Sequence, residues 1–471
     1  MIPGFMESLP AILPELVLVG GALLLLAMGI LYSPDARFCV RWGLATCVIA
    51  LAAMAFSISP LENSFAGIMS FDGLASVGRL LVLASLVSAL LLSYPWLEKA
   101  VMQNPEFVSL LMLAGAGLMG VCASANWIAM LVFLETASVA FAAILGMRRS
   151  DYPSREAAVK YFILSAFASA FIVFGAAVLF TQVHGFTMAA PEVWESASVT
   201  GTLFILAGLA FKCSLVPFHA WAPDTYDGGP TPLVAFIASA SKVAGFTVLA
   251  RFFLAGGAAG FFGGMATLWI VAVMSMLLGT VLALTQTSLK RLLAYSGISQ
   301  AGYIVLAFMG SGDTRMESVL VYLLVYSAMT LGAFAIVAAL EDEGRTAEVA
   351  SLAGWGRRRP FMAGALGVIM VSLTGLPPTA GFFAKFLAFR EALSGGYLVL
   401  VLVAVLSSVI SVGVYMRLLV PAFMEPVEEE RTNAPVAPGA GAVALAAAVF
   451  LVIAGIFPAT LISLSRLFLT R

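Results

Sequence analysis

Apolar stretches long enough to cross a bilayer follow one another along nearly the whole of this chain. A spanning helix needs about 20 predominantly apolar residues. At that length the 471 residues give fourteen expected spans: 11–31, 39–59, 74–94, 107–123, 125–146, 159–183, 202–220, 230–254, 262–285, 293–310, 317–340, 361–393, 398–422 and 440–464. The chain is 62% hydrophobic and only 10% charged, whereas a soluble protein carries roughly 25% charged residues. The expected fold class is therefore an all-α polytopic membrane protein, one membrane domain over 1–471 with about 14 transmembrane helices. No Lys or Arg precedes the first stretch, so it lacks the positive region of a signal peptide and reads as a permanent span. The longest connections, 184–200, 341–360 and 423–439, leave no room for a soluble domain. A formal net charge of −1 argues against nucleic-acid binding. Cys39, Cys47, Cys122 and Cys213 all lie in apolar runs without a CxxC pair, so no iron–sulfur, zinc or haem site is expected in this chain.

The cations sort by side. Connections after odd-numbered spans, with nearby helix ends, hold Arg37, Arg41, Lys99, Arg148, Arg149, Arg155, Lys160, Lys290, Arg291, Arg345, Arg357, Arg358, Arg359, Arg417 and Arg431. The other side holds Arg251, Arg315, Arg466 and Arg471. The excess marks the cytoplasmic side, which places both termini outside.

Five cations remain within the spans: Arg79, Lys212, Lys242, Lys385 and Arg390. A lysine near the bilayer centre costs about 2.5–3.5 kcal/mol on insertion scales. Lys212, in GLAFKCSLVPFHAW, and Lys242, in FIASASKVAGF, lie midway in spans seven and eight, and Lys385 lies in span twelve. Glu135, midway in span five, is the expected countercharge. Two readings stay open. The charges fix helix packing as buried pairs, or they form a relay for protons at mid-depth. One glutamate for three lysines fits the relay better, because an unpaired buried lysine has its proton affinity lowered. Arg79, about one turn into span three, is placed where it could snorkel to the surface, Arg390 has Glu391 beside it, and both are expected to take structural roles.

Two spans carry helix breakers. Pro217 removes a backbone hydrogen bond and clashes with the carbonyl four residues earlier. SLTGLPPTAGF (372–382) gathers Gly375, Pro377, Pro378 and Gly381 in span twelve, which is too long for one straight helix. Breaks at membrane depth are tolerated where they are buried in protein or line a wet cavity. They are separated by five spans, the pattern of a repeat in transporters. This predicts five-helix repeats over 107–254 and 262–422, inverted because five is odd, with helices 7 and 12 broken.

FKCSLVPFHAWAPDTYDGGPTPLVAFIASASK (211–242) resembles the signature of the antiporter-like membrane subunits of respiratory complex I. AAVKYFILSAFASA (157–170), LKRLLAYSGISQAGY (289–303), LTGLPPTAGFFAKF (373–386), FDGLA (71–75) and LPEL (13–16) extend the resemblance over most of the chain. Lys385, the length and LPEL are similar to the subunit N branch of that family. The superfamily also holds multisubunit cation/proton antiporters and membrane-bound hydrogenases, which are the alternative. The resemblance implies a multi-pass bacterial cell-membrane protein and a hetero-oligomer with other complex I membrane subunits in the lipid bilayer. It implies a proton relay of Glu135, Lys212, Lys242 and Lys385, with His219 as a possible further member. It implies that NADH, FMN, the iron–sulfur clusters and quinone belong to the whole complex, with no cofactor in this chain. Asp224, Tyr226, Lys160, Lys290 and Arg291 match motif positions, where structural and interface roles are expected.

Overall fold

The computed structural model describes residues 5–56, 61–100, 104–257, 260, 263–312, 314–342, 347–426 and 436–469. Its principal helices run in chain order: α1 (Phe5–Tyr32), α2 (Ala36–Phe56), α3 (Gly73–Ala100), α4 (Asn104–Ala123), α5 (Trp127–Leu145), α6 (Tyr152–Val183), α7 (Ser196–Lys212), α8 (Trp221–Gly228) and α9 (Thr231–Leu254). Then come α10 (Gly264–Leu284), α11 (Leu289–Phe308), α12 (Arg315–Asp342), α13 (Pro360–Thr374), α14 (Ala380–Ser394), α15 (Leu398–Met424), α16 (Pro438–Ile456) and α17 (Pro458–Leu469). A short antiparallel pair, β1 (Leu61–Asn63) and β2 (Met69–Phe71), links α2 to α3. The expected end of the second span at 57–59, Arg345, Arg431, Arg471 and residues 427–435 of the 423–439 connection lie outside the described residues.

Among the described residues, eleven helices are long and apolar enough to cross a membrane. They occupy eleven of the expected stretches. The stretch 293–310 holds α11, which starts earlier and takes Lys290 and Arg291 into its first turn. The stretches 202–220 and 361–393 hold broken helices. Burial separates inner from outer elements. The apolar window of α9 is 100% buried and that of α12 89%, against 39% for α6 and α15. The outer helices turn side chains such as Phe162, Phe167 and Val409 outward, where an apolar surrounding is needed to cover so much apolar surface.

Both breaks follow from their prolines. Pro217 would clash with the carbonyl of residue 213, and α7 ends at Lys212. Residues 213–220 are non-helical, with Ser214 in the left-handed region at φ 56°. The seventh stretch is thus a helix to Lys212 only, not to 220. Pro377 and Pro378 act likewise on residues 373 and 374, and α13 ends at Thr374. Gly375 then takes φ +85°, and its N–H donates to Val371 O and Ser372 O while that of Leu376 donates to Val371 O, closing the helix end. Helix resumes at Ala380. Gly381 sits so close to the first half that a Cβ there would overlap the backbone carbonyl of Ser372. Backbone cannot yield as a flexible side chain does. Gly381→Ala is expected to destabilise the break by about 1–3 kcal/mol, the usual cost of overpacking, read as a lower thermal midpoint of the purified protein.

Arg79 does not reach the surface. It is 2% exposed and donates through Nε and Nη2 to both oxygens of Glu15, each at 2.7 Å, and to Ala11 O at 2.9 Å. The glutamate of LPEL lies within α1 facing α3, so the guanidinium finds its partner in the protein interior. Its plane also covers the Phe71 ring at 4.9 Å. Arg390 pairs with its neighbour Glu391 at 2.8 Å.

Candidate functional site

Lys212, Lys242 and Lys385 are 2%, 1% and 4% exposed. Each sits at an irregularity of its helix. Lys212 is the last residue of α7. Lys242 follows a π-helical turn, Ile237–Ser241, in the middle of α9. Lys385 lies in the second turn after the α13–α14 break. Such sites leave carbonyls without intrahelical partners, and the C-terminal end of a helix carries partial negative charge.

Neutral groups hold the three ammonium groups. Lys212 Nζ donates to Ser138 Oγ and Ser165 Oγ, both at 2.8 Å. Lys242 Nζ donates to Gly297 O at 2.5 Å. Lys385 Nζ donates to Thr374 O at 2.8 Å, a carbonyl at the broken end of α13, and to Ser408 Oγ at 3.0 Å. Each also faces an aromatic ring: Tyr161 at 5.9 Å from Lys212, Tyr326 at 5.2 Å from Lys242 and Tyr303 at 4.5 Å from Lys385. Ring faces attract cations without neutralising them. Among the described residues no carboxylate makes a salt bridge to any of the three.

The expected Glu135–Lys212 ion pair is therefore indirect. Glu135 Oε1 accepts a short hydrogen bond from Ser169 Oγ. Ser138 is one turn along α5 from Glu135, and Ser165 one turn along α6 from Ser169. The glutamate and the lysine thus occupy successive rungs of one α5–α6 interface, within electrostatic reach but each bonded to its own serines. Serine hydroxyls both donate and accept, so this site can bond an ammonium or a free amine. Among the described residues no hydrogen bond joins His219 to any of the lysines; it is half-buried in the 213–220 segment, and its Nδ1 has no partner there.

Sequence reasoning misses Ser138, Ser165, Ser169 and Ser408, and the tyrosines Tyr161, Tyr303 and Tyr326. A signal for the first three exists: Glu135/Ser138 and Ser165/Ser169 are spaced to share helix faces.

Near the expected cytoplasmic side, Asp224 on α8 joins Lys160 at 2.6 Å and Arg291 at 2.9 Å. Partial burial opposes the charge of Asp224, but the hydrogen bonds and charges of Lys160 and Arg291 outweigh it and hold this carboxyl below its ordinary range. Lys290 pairs with Glu341 at 2.7 Å. Tyr226, expected near a span end in a structural or interface role, is instead 1% exposed. The described residues contain no group of three or more His, Cys, Asp or Glu side chains placed to hold a metal.

Residues 124–411 match a protein-family profile described as NADH:quinone oxidoreductase/Mrp antiporter, TM. The chain is 37% identical to NADH-quinone oxidoreductase subunit N of Rhodospirillum rubrum over 86% of each chain. It is 34% identical to the protein of the same name from Methylobacterium nodulans, over 97% of this chain and 96% of the relative. Its fold is similar to a chain of respiratory complex I from Thermus thermophilus with bound aureothin, at TM-score 0.82 and 31% identity, covering 96% of this chain and 98% of that one. A chain of the Mrp complex from Dietzia sp. shares the fold at TM-score 0.83, with 19% identity and 96% and 95% coverage.

Proposed function

This chain belongs to the subunit N family of NADH-quinone oxidoreductase, and from that premise we propose that it moves protons across the membrane through Glu135, Lys212, Lys242 and Lys385, driven by NADH oxidation and quinone reduction in other subunits. One observation carries the relay: three buried lysines without a bonded carboxylate among the described residues, each set where a helix is broken or bulged. An ammonium held by hydroxyls, carbonyls and ring faces is bound less firmly than one in an ion pair. It can give up its proton when the nearby charge of Glu135 changes, and accept another. A carboxylate bonded to each lysine would hold the ammonium too firmly for transfer.

The redox groups, NADH, FMN, iron–sulfur clusters and quinone, are assigned to the rest of the complex, and this chain to a hetero-oligomer with its other membrane subunits. Inverted repeats over 107–254 and 262–422 follow from the matched breaks after Lys212 and before Lys385. The distribution of Lys and Arg supports a bacterial cell membrane location with both termini on the periplasmic side. His219, seven residues beyond Lys212, would join the relay only through water.

Co-purification in mild detergent followed by reconstitution into vesicles tests this reading. The chain is expected to travel with NADH-oxidising subunits, and NADH with quinone is expected to drive proton uptake without Na⁺ or K⁺. Recovery with antiporter subunits alone, or transport that requires Na⁺ or K⁺, would replace it with a cation/proton antiporter.

A further inference from the structure

We infer that Ser275, in the middle of α10, is a positioning residue for the relay: it ties the broken end behind Lys212 to the turn of α10 that also anchors the Lys385 site. The inference rests on the relay reading above. It joins two of the lysine sites along a line of direct contacts that does not pass through Lys242.

The break after Lys212 leaves backbone to be satisfied. α7 stops at Lys212, and Pro217 has no N–H, so the chain between them has no helical ladder to complete it. Val216, four residues beyond Lys212, is buried, and its N–H needs an acceptor. Ser275 Oγ accepts that hydrogen bond at 3.0 Å. The other backbone hydrogen bonds of 213–220, among the described residues, are local. Cys213, Ser214 and Leu215 donate to the carbonyls of Leu209, Phe211 and Ala210, and Ala222 donates to His219 O. The bond to Ser275 is therefore the one that holds this segment to a helix of the second half.

A serine inside a helix commonly bonds back to the carbonyl four residues earlier, as Ser124 and Ser138 do at Gly120 O and Leu134 O. Ser275 is as deeply buried, yet its oxygen is turned to the broken end of another helix.

The same turn of α10 holds the other site. Met276 O accepts from Ser407 Oγ at 3.0 Å and from Ser299 Oγ at 3.3 Å, and Thr280 Oγ1 lies 2.8 Å from each of these hydroxyls. Ser407 precedes Ser408 on α15, and Ser408 Oγ accepts from Lys385 Nζ at 3.0 Å. α10 has little freedom here, because it meets α11 backbone to backbone. A Cβ on Gly279 would lie 2.6 Å from Ser299 N, and one on Gly302 would lie 2.9 Å from Met276 N. The line from Val216 through Ser275, Met276, Ser407 and Ser408 to Lys385 thus consists of covalent neighbours and hydrogen bonds. Ser275 hangs the Lys212 break from the same rigid turn that carries the Lys385 serines, and so keeps the Lys212 amine between Ser138 and Ser165 whether or not it holds its proton.

Ser275→Ala removes the acceptor oxygen and keeps a good helix former. The readout is the number of protons moved per NADH oxidised by the assembled complex in vesicles, with Lys212→Ala alongside. A serine that only stabilised the fold would lower the amount of active complex, and with it both rates, but not their ratio. Ser275→Ala is expected to lose at least half of the translocation per NADH that Lys212→Ala removes. A wild-type ratio in Ser275→Ala beside a lowered one in Lys212→Ala overturns the role of Ser275 and leaves the relay standing. Wild-type ratios in both remove the relay as well. A second measurement needs no variant. An experimental map of the whole complex is expected to show Ser275 Oγ at hydrogen-bond distance from Val216 N, and a map in which another group meets that N–H overturns the proposal.

Discussion

Lys212→Ala in an assembled complex abolishes or strongly reduces coupled proton translocation, and Lys212→Arg does little better. Loss of a positioned proton-transfer group typically costs about 10²–10⁴-fold in rate. The arginine variant separates relay from scaffold. Guanidinium keeps the positive charge and can bond Ser138 and Ser165, the partners of Lys212, but it stays protonated at every accessible pH. If the buried charge served only to lock α5, α6 and α7 together, arginine would largely restore function. If the site must release a proton, arginine fails while the complex still assembles. Vesicle acidification and quinone-reductase rate, measured on the same preparations, decide it. Normal values of both for Lys212→Ala would dismiss the relay.

Arg79→Leu is expected to destabilise the chain by about 3–5 kcal/mol, the cost of stranding one member of a buried ion pair. Glu15 would be left in the interior, 3% exposed, after losing two bonds of 2.7 Å. Adding Glu15→Leu to Arg79→Leu removes the stranded group, and replacing both members of a buried pair is often neutral or stabilising. The expected pattern is a large loss of thermal stability in the single variant and recovery of most of it in the double. Equal loss in both would mean that packing of the arginine stem, and not its charge, matters between α1 and α3.

These two sites differ in how far the sequence discloses them. Lys212 is legible because a lysine in an apolar run is anomalous by itself, and Pro217 announces the break beside it. The halves of the twelfth stretch are legible for the same reason, through Pro377 and Pro378. Glu135 is legible as a charge but not in its bonding: the two serine rungs that separate it from Lys212 depend on how α5 meets α6. Local pattern sends Arg79 to the surface because its partner, Glu15, lies 64 residues away, out of reach of any short window. The short, polar α8 suggests an exposed span end for Tyr226, whereas Trp221 of the same helix and Phe334 of α12 cover its ring, the second through tertiary packing. Hydroxyls and aromatic rings are common in membrane helices, so nothing in composition singles out the ones that face a lysine.

The π turn Ile237–Ser241 leaves no trace in the apolar pattern of α9, yet it sets the facing of every residue beyond it. A π turn holds about one residue more than an α turn, and each α-helical residue advances about 100°. Everything after Ser241 is therefore turned by about that angle relative to an unbroken helix drawn from Thr231. The meeting of Lys242 with Gly297 and Tyr326 is a matter of phase, set by the number of residues upstream as much as by their identity. A helical wheel plotted through this segment would point the lysine at the wrong neighbours.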